Sequence, residues 1–403
     1  MYTLLKFIKR YGGSTQVFSA FIIMWAGQTF ALDSFDTLQI HGFINQGYFL
    51  TTDNNLYGKS SSNQGSLALT EIGVNGSIRP LSNLGLAAQG VYRRAGEISD
   101  EARIDYALID WTIADHENYR YGIRLGRVKT PLGFFNDTRD VAFTRPSITL
   151  PSLYQERARD LFLGSDGGQF YLNMDSSIGD FSLHINGGKL KDNPKELEIS
   201  ILGADRPGEL KSKTSYMGKL GYENKSGSTR FAVSYADVEM FYEPGAADFL
   251  SKGNLSFEFL LFSLQQHMGD LTLTGEYLRI HNSITNFGIH FPDFKPTSES
   301  YYLQVNYSLS SQLQAIIRYD VAYNNTDDRN GDFYATLTSD PNYSAYSKDQ
   351  MVGLRWAPKS NWLIQAEYHR IDGVSELSAA DNPDLSAAKQ HWNLFALQLS
   401  YRF

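Results

Sequence analysis

The chain has 403 residues, a formal net charge of -8, no cysteine and 14% aromatic residues, with 25 Tyr and 25 Phe against 5 Trp. The lack of cysteine excludes a disulfide scaffold, thiolate metal sites and a thiol nucleophile, and the acidic balance excludes strong nucleic-acid binding, which needs a basic surface to release counterions from phosphate. With charged residues at only 20%, this many rings also exclude a solvated, unfolded chain.

Lys6, Lys9 and Arg10 precede a mostly apolar run over 17–27, and Thr29-Phe30-Ala31 follows it. Basic, apolar and small residues in that order predict a signal peptide, residues 1–31, ahead of a single domain, 32–403. The run is too short to cross a bilayer as a helix. Cleavage after Ala31 removes three basic residues and no acidic one, leaving an exported, acidic chain of 372 residues.

From residue 38 onward apolar and polar residues alternate with period two, the pattern of half-buried strands. Sixteen are expected: 38–50, 66–79, 84–94, 102–114, 119–129, 166–174, 180–188, 214–223, 229–239, 254–266, 270–281, 299–309, 313–323, 349–357, 361–370 and 391–403. In the last, Phe395, Leu397, Leu399, Tyr401 and Phe403 share one face, and Ala396, Gln398, Ser400 and Arg402 the other. Either face of 102–114 reads as the apolar one, the pattern of a strand whose parity a bulge reverses. Short connections rich in Gly, Pro, Asn, Asp and Ser alternate along the whole chain with mostly longer ones. That alternation predicts an all-β fold, a transmembrane antiparallel β-barrel of about 16 strands with both termini on the short-turn side, because lipid supplies no hydrogen bonds and the sheet must close. Tyr119, Tyr121, Tyr222, Trp356, Trp362 and Tyr368 fall near strand ends, where aromatic girdles lie. A soluble sandwich or propeller would gain nothing from long loops on one side.

The signal peptide, the strand count and the ending Tyr401-Arg402-Phe403 resemble those of Gram-negative outer-membrane porins. The stretch Leu125 to Phe134, with Asn136 to Asp140 and Phe143 to Ser147, is similar to the region leading into the third extracellular loop of proteobacterial porin-like proteins, including relatives of the phosphate-selective porins. The resemblance implies a passive channel for small hydrophilic solutes or ions in the cell outer membrane and recognition of Phe403 as a signal by the barrel-assembly machinery. It further implies a homotrimer, and a long loop, 130–165, that folds inward as a constriction.

Within that loop Arg139, Arg145, Arg157 and Arg159 are balanced by Asp137, Asp140, Glu156 and Asp160. Strand parity puts Arg79, Arg93, Arg120, Arg124, Arg318 and Arg355 on the lumen face, with Glu71, Glu276, Asp320 and Glu367. These charges suggest a transverse field, arginines on one wall facing carboxylates on the loop or the far wall, that orients polar solutes. A phosphate ladder needs basic side chains without competing carboxylates, and the mixed signs here depart from it. No G-x-S-x-G, H-E-x-x-H or P-loop pattern occurs, so no catalytic residue, metal or cofactor is assigned, and His41, His184 and His369 read as wall residues. The acidic run 327–332 does not fit a calcium loop, since the twelfth position falls on Leu337. A receptor or adhesin barrel is the alternative, a barrel enzyme a more distant one, and a plugged transporter would need about 22 strands.

Overall fold

A computed structural model of the protein describes residues 37–192, 194–338 and 340–403; the expected signal peptide lies outside the described residues. Seventeen strands are formed: β1 Gln39–Thr51, β2 Ser66–Leu81, β3 Leu84–Ala95, β4 Ser99–His116, β5 Tyr119–Lys129, β6 Gly164–Ser176, β7 Gly179–Lys189, β8 Glu209–Ser212, β9 Thr214–Asn224, β10 Thr229–Glu243, β11 Asn254–Met268, β12 Leu271–Thr285, β13 Thr297–Ser308, β14 Leu313–Tyr323, β15 Tyr346–Lys359, β16 Trp362–Gly373 and β17 His391–Arg402. The short β8 and the longer β9 pair with the same strand, as in Met240↔Ser212 and Asp237↔Tyr216, and so make one stave interrupted at Lys213. Each stave runs antiparallel to its neighbours and β1 pairs with β17, so the sheet is a closed sixteen-strand barrel without an edge.

Period-two alternation becomes the two faces of the wall. On β17 Phe395, Leu397 and Leu399 are exposed on the outside while Ala396, Gln398 and Ser400 are buried within. Exposed Leu303, Tyr307, Ile317 and Tyr319 repeat this on β13 and β14, where Gln304, Asn306, Arg318 and Asp320 are buried. The seam is closed at its end by Phe403, whose backbone exchanges hydrogen bonds of 3.0 and 3.1 Å with Gly42. Its ring lies over Gly42, where a Cβ would come within 2.4 Å of it.

β4 carries the parity reversal. Gln89 pairs with Tyr106 but Gly90 with Ile104, leaving Asp105 as a bulge. Before the bulge Ile104 faces outward; after it Ile109, Trp111 and Ile113 do. Two consecutive side chains, Asp105 and Tyr106, therefore turn inward.

The staves keep tight turns at one end, such as those at 117–118 and 360–361, and longer connections at the other. The exception is 96–98, where pairing runs up to Ala95↔Ser99 and shortens the expected 95–101 connection. Above it Asp381, in the 374–390 connection, accepts from the backbone N–H of Gly58 at 3.0 Å and of Glu97 at 2.9 Å, tying three connections together. The acidic run 327–332 opens a helix, Asp332–Thr338: the Asp328 carboxylate accepts from the N–H groups of Phe333 and Tyr334, occupying donors a helix start leaves unpaired.

Candidate permeation site inside the barrel

Residues 130–163 follow β5 and make polar contacts with staves all around the ring. Gly133 has a positive φ of 59°, and its N–H donates to Ser234 Oγ of β10 at 3.1 Å. A Cβ there would sit 2.6 Å from Tyr154 Oη and 2.8 Å from Glu276 Oε1, so the turn requires glycine. Glu276 of β12 accepts from the Phe134 N–H at 3.0 Å, from Tyr154 Oη at 2.7 Å, from Tyr302 Oη at 2.8 Å and from Ser263. Asp320 of β14 accepts from Ser152 N–H and Oγ, both at 2.8 Å, while Glu367 of β16 accepts from the amides of Ile148 and Thr149. Arg318 of β14 donates to Ser147 Oγ at 2.8 Å and to the Thr149 carbonyl at 3.0 Å. On the opposite side Glu71 of β2 accepts from Arg145 at 3.1 Å and from Arg93 at 3.2 Å. A segment bonded to β2, β10, β12, β14 and β16 crosses the inside of the barrel.

Its middle is held by charge. Glu156 meets Arg93, Arg139 at 2.8 Å and Arg159 at 3.1 Å. Asp140 meets Arg159, Arg103 at 2.9 Å and Lys129 at 3.3 Å, and Lys129 also reaches the bulged Asp105 at 2.8 Å. Burial works to raise both loop carboxyls, but the surrounding cations outweigh it and hold each below the usual carboxylate range. Burial and the neighbouring Arg159 push Arg139 down to about 10, which leaves it charged at neutral pH. Deleting one member of such a buried set strands its partners, at a cost of about 3–5 kcal/mol.

The crossing segment leaves a 690 Å³ space on the short-turn side of β4 to β10, lined by Arg120, Arg124, Lys219, Arg230, Phe134 and Asp137 among others. Arg124 pairs with Asp110 at 3.0 Å and stacks on Tyr171; Arg230 stacks on Phe134 and lies 3.4 Å from Glu223. Lys219 donates to the Gly133 carbonyl and has no carboxylate partner among the described residues. Asp137 extends from the crossing segment toward the same space.

No family model and no curated protein matches the sequence. Among solved structures the chain is similar to the anion-selective porin from Comamonas acidovorans, with a TM-score of 0.59 and 11% identity over 91% of this chain and 99% of that one. OmpF of Salmonella typhi, in complex with daunomycin, gives 0.56 and 13% over 93% and 99%. The outer membrane channel DcaP of Acinetobacter baumannii gives 0.55 and 11% over 91% and 97%. The fold is that of the outer-membrane porins.

On this porin fold the expected site residues separate into two groups. Arg120, Arg124 and Asp137 border the 690 Å³ space, and Arg79 is exposed at the short-turn end of β2. Arg93, Arg139, Asp140, Arg145, Arg159, Glu276, Arg318 and Glu367 are buried in the contacts just described, with Glu156 half-buried among them, and Arg157 donates to the Ser375 carbonyl of the 374–390 connection. Glu71, Glu276, Asp320 and Glu367 thus do not face arginines across an open bore: loop amides, hydroxyls and Arg145 occupy their oxygens. Lys129, Lys219, Arg230 and Tyr154 were not expected in the site. Extending the β9 and β10 alternation would have found Lys219 and Arg230, whereas nothing local marks Tyr154.

Proposed function

We propose that the protein is an outer-membrane diffusion channel for small hydrophilic solutes or ions, with residues 130–163 as its constriction. The observation that carries this reading is the set of bonds from that segment to opposite staves, which leaves water-accessible space beside β4 to β10 instead of a free central bore. Arg120, Arg124, Lys219 and Arg230 on the wall then face Asp137 on the segment, a transverse field confined to that side. Arg93, Arg139, Asp140, Arg145, Glu156, Arg159, Glu276, Arg318 and Glu367 hold the constriction in place. Export through the 1–31 signal peptide, insertion guided by Phe403 and assembly as a homotrimer belong to the same proposal.

Refolded protein in planar bilayers tests it. Stepwise conductance is expected, and Arg124→Ala should shift the reversal potential in asymmetric KCl toward cation preference by several millivolts. Absence of conductance would favour the receptor or adhesin reading, and hydrolysis of lipid or peptide would favour an enzyme. An unmoved reversal potential would remove Arg124 from the selectivity account.

A further inference from the structure

On the other side of the crossing segment lies a separate 210 Å³ recess, and no carboxylate lines it. Its wall is a relay of amides and hydroxyls on neighbouring staves: Gln304 donates to Asn306 at 2.7 Å, Asn306 to Gln314 at 3.1 Å, and Gln265 to Thr274 at 3.0 Å. Among the described residues Gln304 Oε1 accepts nothing although the residue is only 1% exposed. A buried polar atom left this way is costly unless a polar partner completes it.

Beside Gln314, as its register partner, stands Arg355. One of its nitrogens donates to the Phe143 carbonyl at 3.1 Å, and no carboxylate pairs with it among the described residues. The other arginine lining the recess, Arg145, is already paired with Glu71. Phe135 and Phe143 close the recess from the segment side, and Arg402 stacks on the Phe143 ring. The volume matches roughly seven waters at ~30 Å³ each, a small solute of monosaccharide size and well below an ordinary ligand pocket of about 300 Å³ or more.

We infer that this recess binds a small polyhydroxylated carboxylate, a sugar acid, with its carboxylate on Arg355, its hydroxyls on Gln304, Asn306 and Gln314, and its apolar face on Phe143. An unpaired guanidinium selects the anion, a hydroxyl array completes the amide relay, and the ring covers the C–H face. This names a solute class for the channel and rests on that reading for permeation, though binding is measured independently of it.

The test titrates gluconate and glucose into the refolded full chain in detergent, read by saturation-transfer NMR. Gluconate is expected to bind about tenfold more tightly than glucose, the worth of one charge-assisted contact. Arg355→Met should abolish that difference, and the near-isosteric Gln304→Met should weaken both ligands about tenfold. Gln314→Met, at a less buried position, serves as the second amide variant if Gln304→Met does not refold. Equal affinity for gluconate and glucose, or gluconate binding unchanged in the variants, overturns the inference. Gluconate binding that obeys these expectations in a protein that conducts nothing leaves the subsite standing and removes the channel.

Discussion

Glu276 holds a carboxylate among four neutral donors and no cation, unlike Glu156 with its three arginines. Hydrogen bonds to a charged acceptor contribute about 1.5–3 kcal/mol each, so Glu276→Gln, which turns one acceptor into a donor facing two tyrosine hydroxyls, should loosen the crossing segment by about 2–4 kcal/mol. Trypsin cleavage at Arg139, Arg157 and Arg159 should accelerate and single-channel noise should rise, while the far-UV spectrum of the barrel stays unchanged. A protected, quiet variant would contradict this anchoring role. Protonation gives a second residue-scale expectation. Glu376, in the 374–390 connection, is pushed up to about 7, first by burial and then by Asp320, against the pull of Arg157. Its ordinary value is 4.5, so the raised folded value stabilises the closed connection fully below about 4.5 and that contribution fades as pH rises through about 7. Glu156 has the opposite sign: its depressed value keeps the segment anchored above about 4.5 and releases it only in strong acid. Hydrogen exchange over 374–382, corrected for intrinsic rates, should therefore quicken between pH 5 and 8 by up to roughly a hundredfold, and Glu376→Gln should flatten the change.

At the scale of the element, β4 decides how much of the wall reads correctly. Deleting Asp105 would remove the bulge without moving any other β4 side chain to the opposite face, since Ile104 already points outward and Tyr106 inward; Glu101 and Arg103 would stay inside with Lys191 and Asp140. The deletion variant should therefore retain the heat-modifiable gel mobility of a folded barrel, as should Asp105→Asn, which keeps the bulge; mobility lost in the deletion alone would mean that β4 needs the bulge itself and not only its parity. The other staves were legible because one periodicity serves both pairing and burial, as in β17, where each outward position from Phe395 to Tyr401 is apolar. β4 was legible only as a strand of ambiguous parity in which a bulge was expected, since the position of the bulge is written in the pairing of Gln89 and Gly90 across the ladder and not in β4 alone. The short β8 was missed for a related reason: four residues carry too few alternations to stand out inside a connection.

The path of the crossing segment belongs to the whole molecule. Its bonds join residues far apart in sequence, Phe134 to Glu276, Ile148 to Glu367 and Ser152 to Asp320, so no local pattern announces where it goes. Parity could place Glu276, Asp320 and Glu367 on the inner face but could not tell a carboxylate facing water from one that accepts loop amides. The staves, by contrast, are joined by continuous backbone ladders that owe nothing to the segment. Replacing residues 142–153 with a short Gly-Ser link should therefore leave the barrel closed while removing its contacts to Glu71, Arg318, Asp320 and Glu367. Glu71 would keep Arg93, and Glu367 would keep His369 at 3.2 Å, so the principal loss falls on Asp320 and Arg318, which lie 4.0 Å apart and can pair more closely once freed. With the bore cleared of the part of the segment that reaches β2, β14 and β16, while Gly133, Phe134 and Tyr154 keep their bonds to β10 and β12, conductance should rise by roughly several-fold, and liposomes should swell in raffinose nearly as fast as in arabinose. Unchanged conductance and an unchanged size limit in a folded variant would mean that the narrowest point lies elsewhere along the barrel.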